Sequence, residues 1–85
     1  MLKVTLISSP GCHHCLVVKA TLGKMKKDYP ELIIEEIDIT SEDGQKLVQK
    51  YSILSSPGIL INDEFFSMGI VTEEQFKKKF EELKA

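Results

Sequence analysis

Both of the chain's cysteines fall in one tetrapeptide, Cys12-His13-His14-Cys15. A disulfide closing so short a loop stabilises a fold little, roughly half the chain-entropy gain of a bridge closing a ~100-residue loop. Structural stapling therefore explains the pair poorly, and chemistry of the two sulfurs with each other explains it better. In such chemistry one thiolate attacks a disulfide sulfur and the neighbouring thiol resolves the mixed disulfide.

The flanking residues tell which sulfur does which. Leu2-Lys3-Val4-Thr5-Leu6-Ile7 is apolar and β-branched and reads as a strand, and Ser8-Ser9-Pro10-Gly11 is turn punctuation. A helix then begins at the motif: Cys15, Val18, Leu22 and Met25 recur at i, i+3, i+7 and i+10 and form one apolar face. Cys15 is expected to be covered and Cys12, one turn earlier at the helix start, exposed. The first backbone N–H groups of a helix lack intrahelical partners and together carry about half a positive charge. A thiolate is stabilised there, so Cys12 should titrate below the free-thiol value of ~8.5 and act as nucleophile, with Cys15 resolving.

Bulk properties exclude several function classes. Eighty-five residues allow a single domain spanning 1–85, with no room for a flavin or nicotinamide domain, so no bound cofactor is expected and electrons must come from a separate protein or from glutathione. The eleven basic residues are outnumbered by thirteen acidic ones, which disfavours nucleic acid. The densest basic run, Lys77-Lys78-Lys79, lies among Glu73, Glu74, Glu81 and Glu82 and reads as a solvated helix face. Met1 leads straight into the first strand, without a charged leader, an apolar signal core or a stretch able to span a bilayer. The expected setting is the cytoplasm, with no membrane partner and the chain as a monomer. Thiols are kept reduced in that compartment, where a Cys-x-x-Cys beside a βαβ pattern reads as redox-active or metal-binding.

Asp28-Tyr29-Pro30-Glu31 breaks the first helix, and Leu32 to Ile39 reads as a second strand with Ile33, Ile37 and Ile39 on one face. A right-handed crossover makes the two strands parallel. Thr40 or Ser41 can cap a short helix carrying Leu47, Val48 and Tyr51 inward. Ile53 to Pro57 reads as a loop, Gly58 to Ile61 as a third strand, and Asn62-Asp63 as a tight turn into Glu64 to Met68, closing a hairpin. Thr72-Glu73-Glu74-Gln75 is a capping box, followed by Phe76, Phe80 and Leu83 as a core-facing stripe. Asp38 reads as a strand terminator or helix cap, and Tyr51 as core.

The order βαβαββα, with the dithiol at the first strand-to-helix junction and Pro57 just before the third strand, resembles the thioredoxin fold along essentially the whole chain. The likeness is nearest to short, glutaredoxin-sized thioredoxins, and it implies an α/β fold: a four-stranded mixed sheet with helices on both faces. It also implies a cis bond before Pro57, facing the dithiol, and a backbone there that pairs with an extended segment of a protein substrate. Ser56, Pro10, Gly11, Gly69 and Ile70 are the further positions that the resemblance assigns to a substrate groove.

The chain departs from the family at instructive places. Typical thioredoxins carry Gly-Pro between the cysteines, a Trp before the first and a buried Asp six residues upstream; here those positions hold His13-His14, Gly11 and Leu6. The proton of Cys15 must then go to water, a histidine or another carboxylate. Typical glutaredoxins carry Thr-Val before the proline and a paired glycine followed by Asp; this chain has Ser55-Ser56-Pro57 and Met68-Gly69-Ile70, which leaves glutathione binding without support. His14 precedes the second cysteine, as does a histidine in the periplasmic oxidases that introduce disulfides, and on that resemblance it tunes the Cys12 thiolate; His13 is either a second tuner or an exposed residue of the first turn. His and Cys are preferred zinc ligands, but His13 and His14 fan away around the helix and the chain has no other His or Cys, so one chain offers no tetrahedral site. The expectation is a thiol:disulfide oxidoreductase acting on protein disulfides with Cys12 and Cys15, supplied by a thioredoxin reductase-like enzyme or by glutathione. The alternatives are a glutathione-dependent glutaredoxin and a zinc or iron–sulfur carrier in which two chains share the ion or cluster.

Overall fold

The computed structural model of the chain describes residues 2–53 and 56–84. Strand β1 (Leu2–Ser8) leads into helix α1 (His13–Met25), which returns through a turn to β2 (Leu32–Asp38). Helix α2 (Glu42–Tyr51), the hairpin β3 (Gly58–Ile61) and β4 (Glu64–Met68), and helix α3 (Glu73–Lys84) complete the chain. The sheet runs β2-β1-β3-β4, with β1 parallel to β2 and β3 antiparallel to both β1 and β4. This is the mixed four-stranded sheet of a thioredoxin-like α/β fold.

Alternation along β1 divides the molecule into two cores. Leu2, Val4 and Leu6 face α1 and α3 and pack with Val18, Leu22, Met25, Ile59, Phe76 and Phe80. Ile7 faces α2 and packs with Ile53 and Leu60 beneath Leu47, Val48 and Tyr51. Phe76 and Phe80 are fully buried, each stabilising the fold by about 1.5–3 kcal/mol relative to exposure, and their rings stack 5.8 Å apart.

Caps fix the helix starts. Thr72 and Gln75 exchange capping-box hydrogen bonds at 2.9 and 3.3 Å, and the Ser41 hydroxyl caps α2 by accepting the Gly44 N–H at 3.0 Å. Asn62 and Asp63 both have positive φ, 52° and 65°, the geometry of a two-residue hairpin turn.

Three expectations need adjustment. Leu83 is 40 % exposed: the stripe ends at Phe80, whose ring meets Tyr29 edge-on at 5.2 Å, and the last turn of α3 runs on into solvent. Ile33, Ile37 and Ile39 share a face by alternation, yet Ile33 is 46 % exposed because α2 covers only the Ile39 end; Leu32 and Ile34, on the opposite face, join the larger core. β1 extends through Ser8, which pairs with Asp38, and the ladder continues as Ile39 N–H donates to the Ser8 carbonyl at 2.7 Å. The loop read over Ile53 to Pro57 crosses Leu54 and Ser55, which lie outside the described residues.

Candidate functional site

A central strand ending at a surface turn delivers the cysteine pair. Cys12 N–H donates to the Ser9 carbonyl at 3.2 Å, Gly11 turns the chain at φ +72°, and Cys12 becomes the N-cap of α1 with extended backbone. Its Sγ accepts the backbone N–H of Cys15 at 3.1 Å, filling the place a Ser or Asp side chain usually takes at a helix start. The first turn of α1 holds no acidic residue to oppose a negative sulfur. Cys15 lies on the buried face with Val18, Leu22 and Met25 at 4 % exposure, whereas Cys12 is half-buried and reaches the surface. The two sulfurs form a disulfide across a Cα separation of 5.3 Å.

The second wall comes from the loop after α2. The Ser56–Pro57 peptide is cis, as the resemblance implied. Ser56 Oγ donates to Cys12 Sγ at 3.7 Å and lies 3.0 Å from Ser9 Oγ. Pro57 is fully buried, and its carbonyl accepts the Gly69 N–H at 2.8 Å, which ties the β4–α3 connection to this wall. Gly69 has φ +87°, a conformation that costs a side-chain-bearing residue about 1–2 kcal/mol.

A shallow hollow of about 310 Å³ opens over Cys12, lined by Ser9, Pro10, Gly11, Cys12, His13, His14 and Ser56. Six of the residues that the sequence assigned to catalysis, thiolate tuning or substrate contact, Pro10, Gly11, Cys12, His13, His14 and Ser56, thus meet around one sulfur. Cys15 and Pro57 lie behind the surface, Gly69 reaches the site through Pro57, and Ile70 follows it at 50 % exposure. Ser9 is the addition. Its partner is 47 residues away, and only the fold brings the two hydroxyls together.

Leu6 is fully buried, so the position at which thioredoxins carry an acid is apolar here. Its register partner on β2 is Glu36, whose carboxylate accepts from Lys19 Nζ at 3.3 Å and Ser8 Oγ at 3.4 Å. Asp38 has the structural role expected of it: its carboxylate accepts from the Thr40 hydroxyl at 2.7 Å and the Thr40 N–H at 2.8 Å, which hold its pKa below the usual carboxylate value. Tyr51 is half-buried against the second core and donates its hydroxyl to the Asp63 carbonyl at 2.7 Å. His13 and His14 are exposed, and among the described residues no three His, Cys, Asp or Glu side chains are placed to hold a metal ion. Nor is any described helix long and apolar enough to cross a membrane.

The chain is similar to known proteins over most of its length. A probable thioredoxin of Archaeoglobus fulgidus is 26% identical over 84 residues, covering 99% of this chain and 91% of that protein. A thioredoxin of Methanocaldococcus jannaschii is 31% identical over 72 residues, covering 85% of this chain and 84% of the relative. In three dimensions a thioredoxin-like protein from Clostridium perfringens superposes with a TM-score of 0.83 at 15% identity, over 98% of this chain and 71% of that one, a likeness of fold. A Cys-x-x-Cys pair on this fold is the equipment of thiol–disulfide oxidoreductases in general. Residues 3–81 match the profile described as "Glutaredoxin-like domain (DUF836)", and the chain belongs to that family.

Proposed function

We propose that this protein exchanges its Cys12–Cys15 dithiol and disulfide with disulfides of other proteins. The observation that carries the reading is the asymmetry of the pair: Cys12 Sγ reaches the surface and is held by the Cys15 N–H at 3.1 Å, while Cys15 is 4 % exposed. In the reduced protein the Cys12 thiolate attacks one sulfur of a substrate disulfide, forming a mixed disulfide and releasing the other sulfur as thiolate. Cys15, after giving its proton to water, attacks Cys12 Sγ; the Cys12–Cys15 disulfide forms and the second substrate sulfur leaves. Two electrons have passed to the substrate, and a separate reductant returns the protein to the dithiol.

Pro10, Gly11, Ser56, Gly69 and Ile70 form the contact surface in this reading, with the backbone before Pro57 pairing to an extended substrate segment. Cytoplasmic location and monomeric action belong to the same proposal. The thioredoxin names of relatives at 26% and 31% identity support a protein dithiol as electron donor, and the glutaredoxin-like family match supports glutathione as a second reading. Reduction of a disulfide-bonded protein should be followed with NADPH plus thioredoxin reductase and, in parallel, with glutathione plus its reductase. Turnover in the first assay, lost in Cys12→Ser, is expected. Turnover with glutathione alone would move the protein to the second reading, and no turnover in either would overturn both.

A further inference from the structure

Ser9 and Ser56 come from loops on opposite sides of the site, and both are half-buried at the edge of the hollow over Cys12. Their hydroxyl oxygens are 3.0 Å apart, and Ser56 Oγ is within hydrogen-bonding reach of Cys12 Sγ, at 3.7 Å. A serine hydroxyl has one proton to give. If Ser56 gives its proton to the sulfur, the Ser9–Ser56 contact is made by the Ser9 hydroxyl donating to the Ser56 oxygen. The polarity of the chain is thereby set: Ser9 O–H to Ser56 Oγ, Ser56 O–H to Cys12 Sγ.

We propose that Ser9 and Ser56 form a two-hydroxyl relay that stabilises the Cys12 thiolate, Ser56 touching the reacting sulfur and Ser9 acting as a positioning residue through Ser56. This deepens the exchange reading above and rests on it. A sulfur within a disulfide is neutral and a weak acceptor, whereas a thiolate draws a charge-assisted hydrogen bond about twice as strong as a neutral one. The hydroxyl is already placed in the oxidised protein, so reduction requires no rearrangement to gain it. Hydrogen bonds in series also polarise one another, which gives Ser9 an influence on a sulfur it does not touch. Reduction brings two electrons from a thiol reductant to the disulfide, leaving Cys12 as thiolate and Cys15 as thiol with one proton taken up. Whatever favours the thiolate over the disulfide sulfur therefore makes the pair more oxidising.

The relay is tested on the full chain by two readouts: thiolate ultraviolet absorbance of the reduced protein against pH, and the equilibrium potential in a glutathione buffer. Removing the one charge-assisted bond in Ser56→Ala should lower the thiolate-to-thiol ratio at fixed pH about tenfold, which corresponds to a potential lower by about 30 mV. Ser56→Thr, which keeps a hydroxyl, should restore most of both. Ser9→Ala should move both readouts in the same direction by less, and should change neither when added to Ser56→Ala. Unchanged thiolate ratio and potential in Ser56→Ala would overturn the relay, and an undiminished effect of Ser9→Ala in the Ser56→Ala background would remove Ser9 from it. Both readouts are independent of protein-substrate turnover, so loss of substrate reduction in wild type with these shifts intact would sink the exchange reading and not the relay.

Discussion

The sulfur of Cys12 accepts the backbone N–H of Cys15 at 3.1 Å, so the first residue of the motif caps the helix on which the second is buried. One geometry thus gives the two cysteines opposite characters. The thiolate form of Cys12 meets the Cys15 N–H and the positive end of α1, while Cys15 sits among Val18, Leu22 and Met25. In the reduced protein Cys12 should alkylate with an apparent pKa well below the free-thiol value of ~8.5, and Cys15 should react slowly. Iodoacetamide labelling rate against pH, read by mass spectrometry, measures both. Faster labelling of Cys15 would reverse the roles.

His14 makes a second prediction about the same sulfur. It lines the hollow over Cys12 with His13, both exposed on the first helical turn. A cationic or hydrogen-bonding neighbour favours the thiolate and hence the reduced form, so the wild-type potential should lie above the value of about −270 mV of ordinary thioredoxin. Proline fits the first turn of a helix, where the N–H it lacks has no intrahelical partner, but it can neither carry charge nor donate a side-chain hydrogen bond. His14→Pro should lower the potential by tens of millivolts, about 1.4 kcal/mol for every ~30 mV, and His13→Ala should lower it less. Equilibration against glutathione decides; a wild-type value at or below −270 mV, or no shift in His14→Pro, would leave the histidines as surface residues.

Most of the site was legible because it is local. Turn residues, helix start and the Cys15-Val18-Leu22-Met25 face lie within one βα junction, where spacing reports geometry directly. The cis bond before Pro57 was reached only through resemblance, since spacing along the chain says little about an X-Pro isomer. The Ser9–Ser56 contact was not legible at all: serine in a turn is ordinary, and nothing local marks which of two distant loops will meet. Leu83 misled for a related reason, because helical periodicity tells which side a residue faces and not where the neighbouring element stops.

Gly44 shows the same limit and supplies a stability test. It stands in the first turn of α2, where local propensity favours Ala over Gly by about 1 kcal/mol. A β-carbon there would press into the Asp38 carbonyl and lie 2.9 Å from Ile39 Cα, both of them backbone atoms at the end of β2. Overpacking of this kind costs about 1–3 kcal/mol, so the clash should outweigh propensity and Gly44→Ala should destabilise. Gly23, exposed in α1, meets nothing within 4 Å, and Gly23→Ala should stabilise by about 1 kcal/mol. Denaturant midpoints of the two variants should move in opposite directions; a rise for Gly44→Ala would contradict the packing of α2 on β2.

Tyr29 links α1's end to α3 and gives the fold a pH limit. Its ring is buried against Phe80, and its hydroxyl donates to the Glu81 carboxylate at 2.8 Å. That hydrogen bond first, then burial and the neighbouring negative charges, push the phenol pKa from 10.0 to about 12. The folded value lies above the unfolded one, so the stabilisation is complete below pH ~10 and is lost as pH rises toward ~12. Thermal midpoints should therefore fall across that window in wild type. Tyr29→Phe, which has no proton to lose there, should start lower and show a shallower decline. Phenolate absorbance in a Tyr51→Phe background isolates Tyr29, and a midpoint at the ordinary tyrosine value would mean that the Glu81 hydrogen bond does not hold in solution.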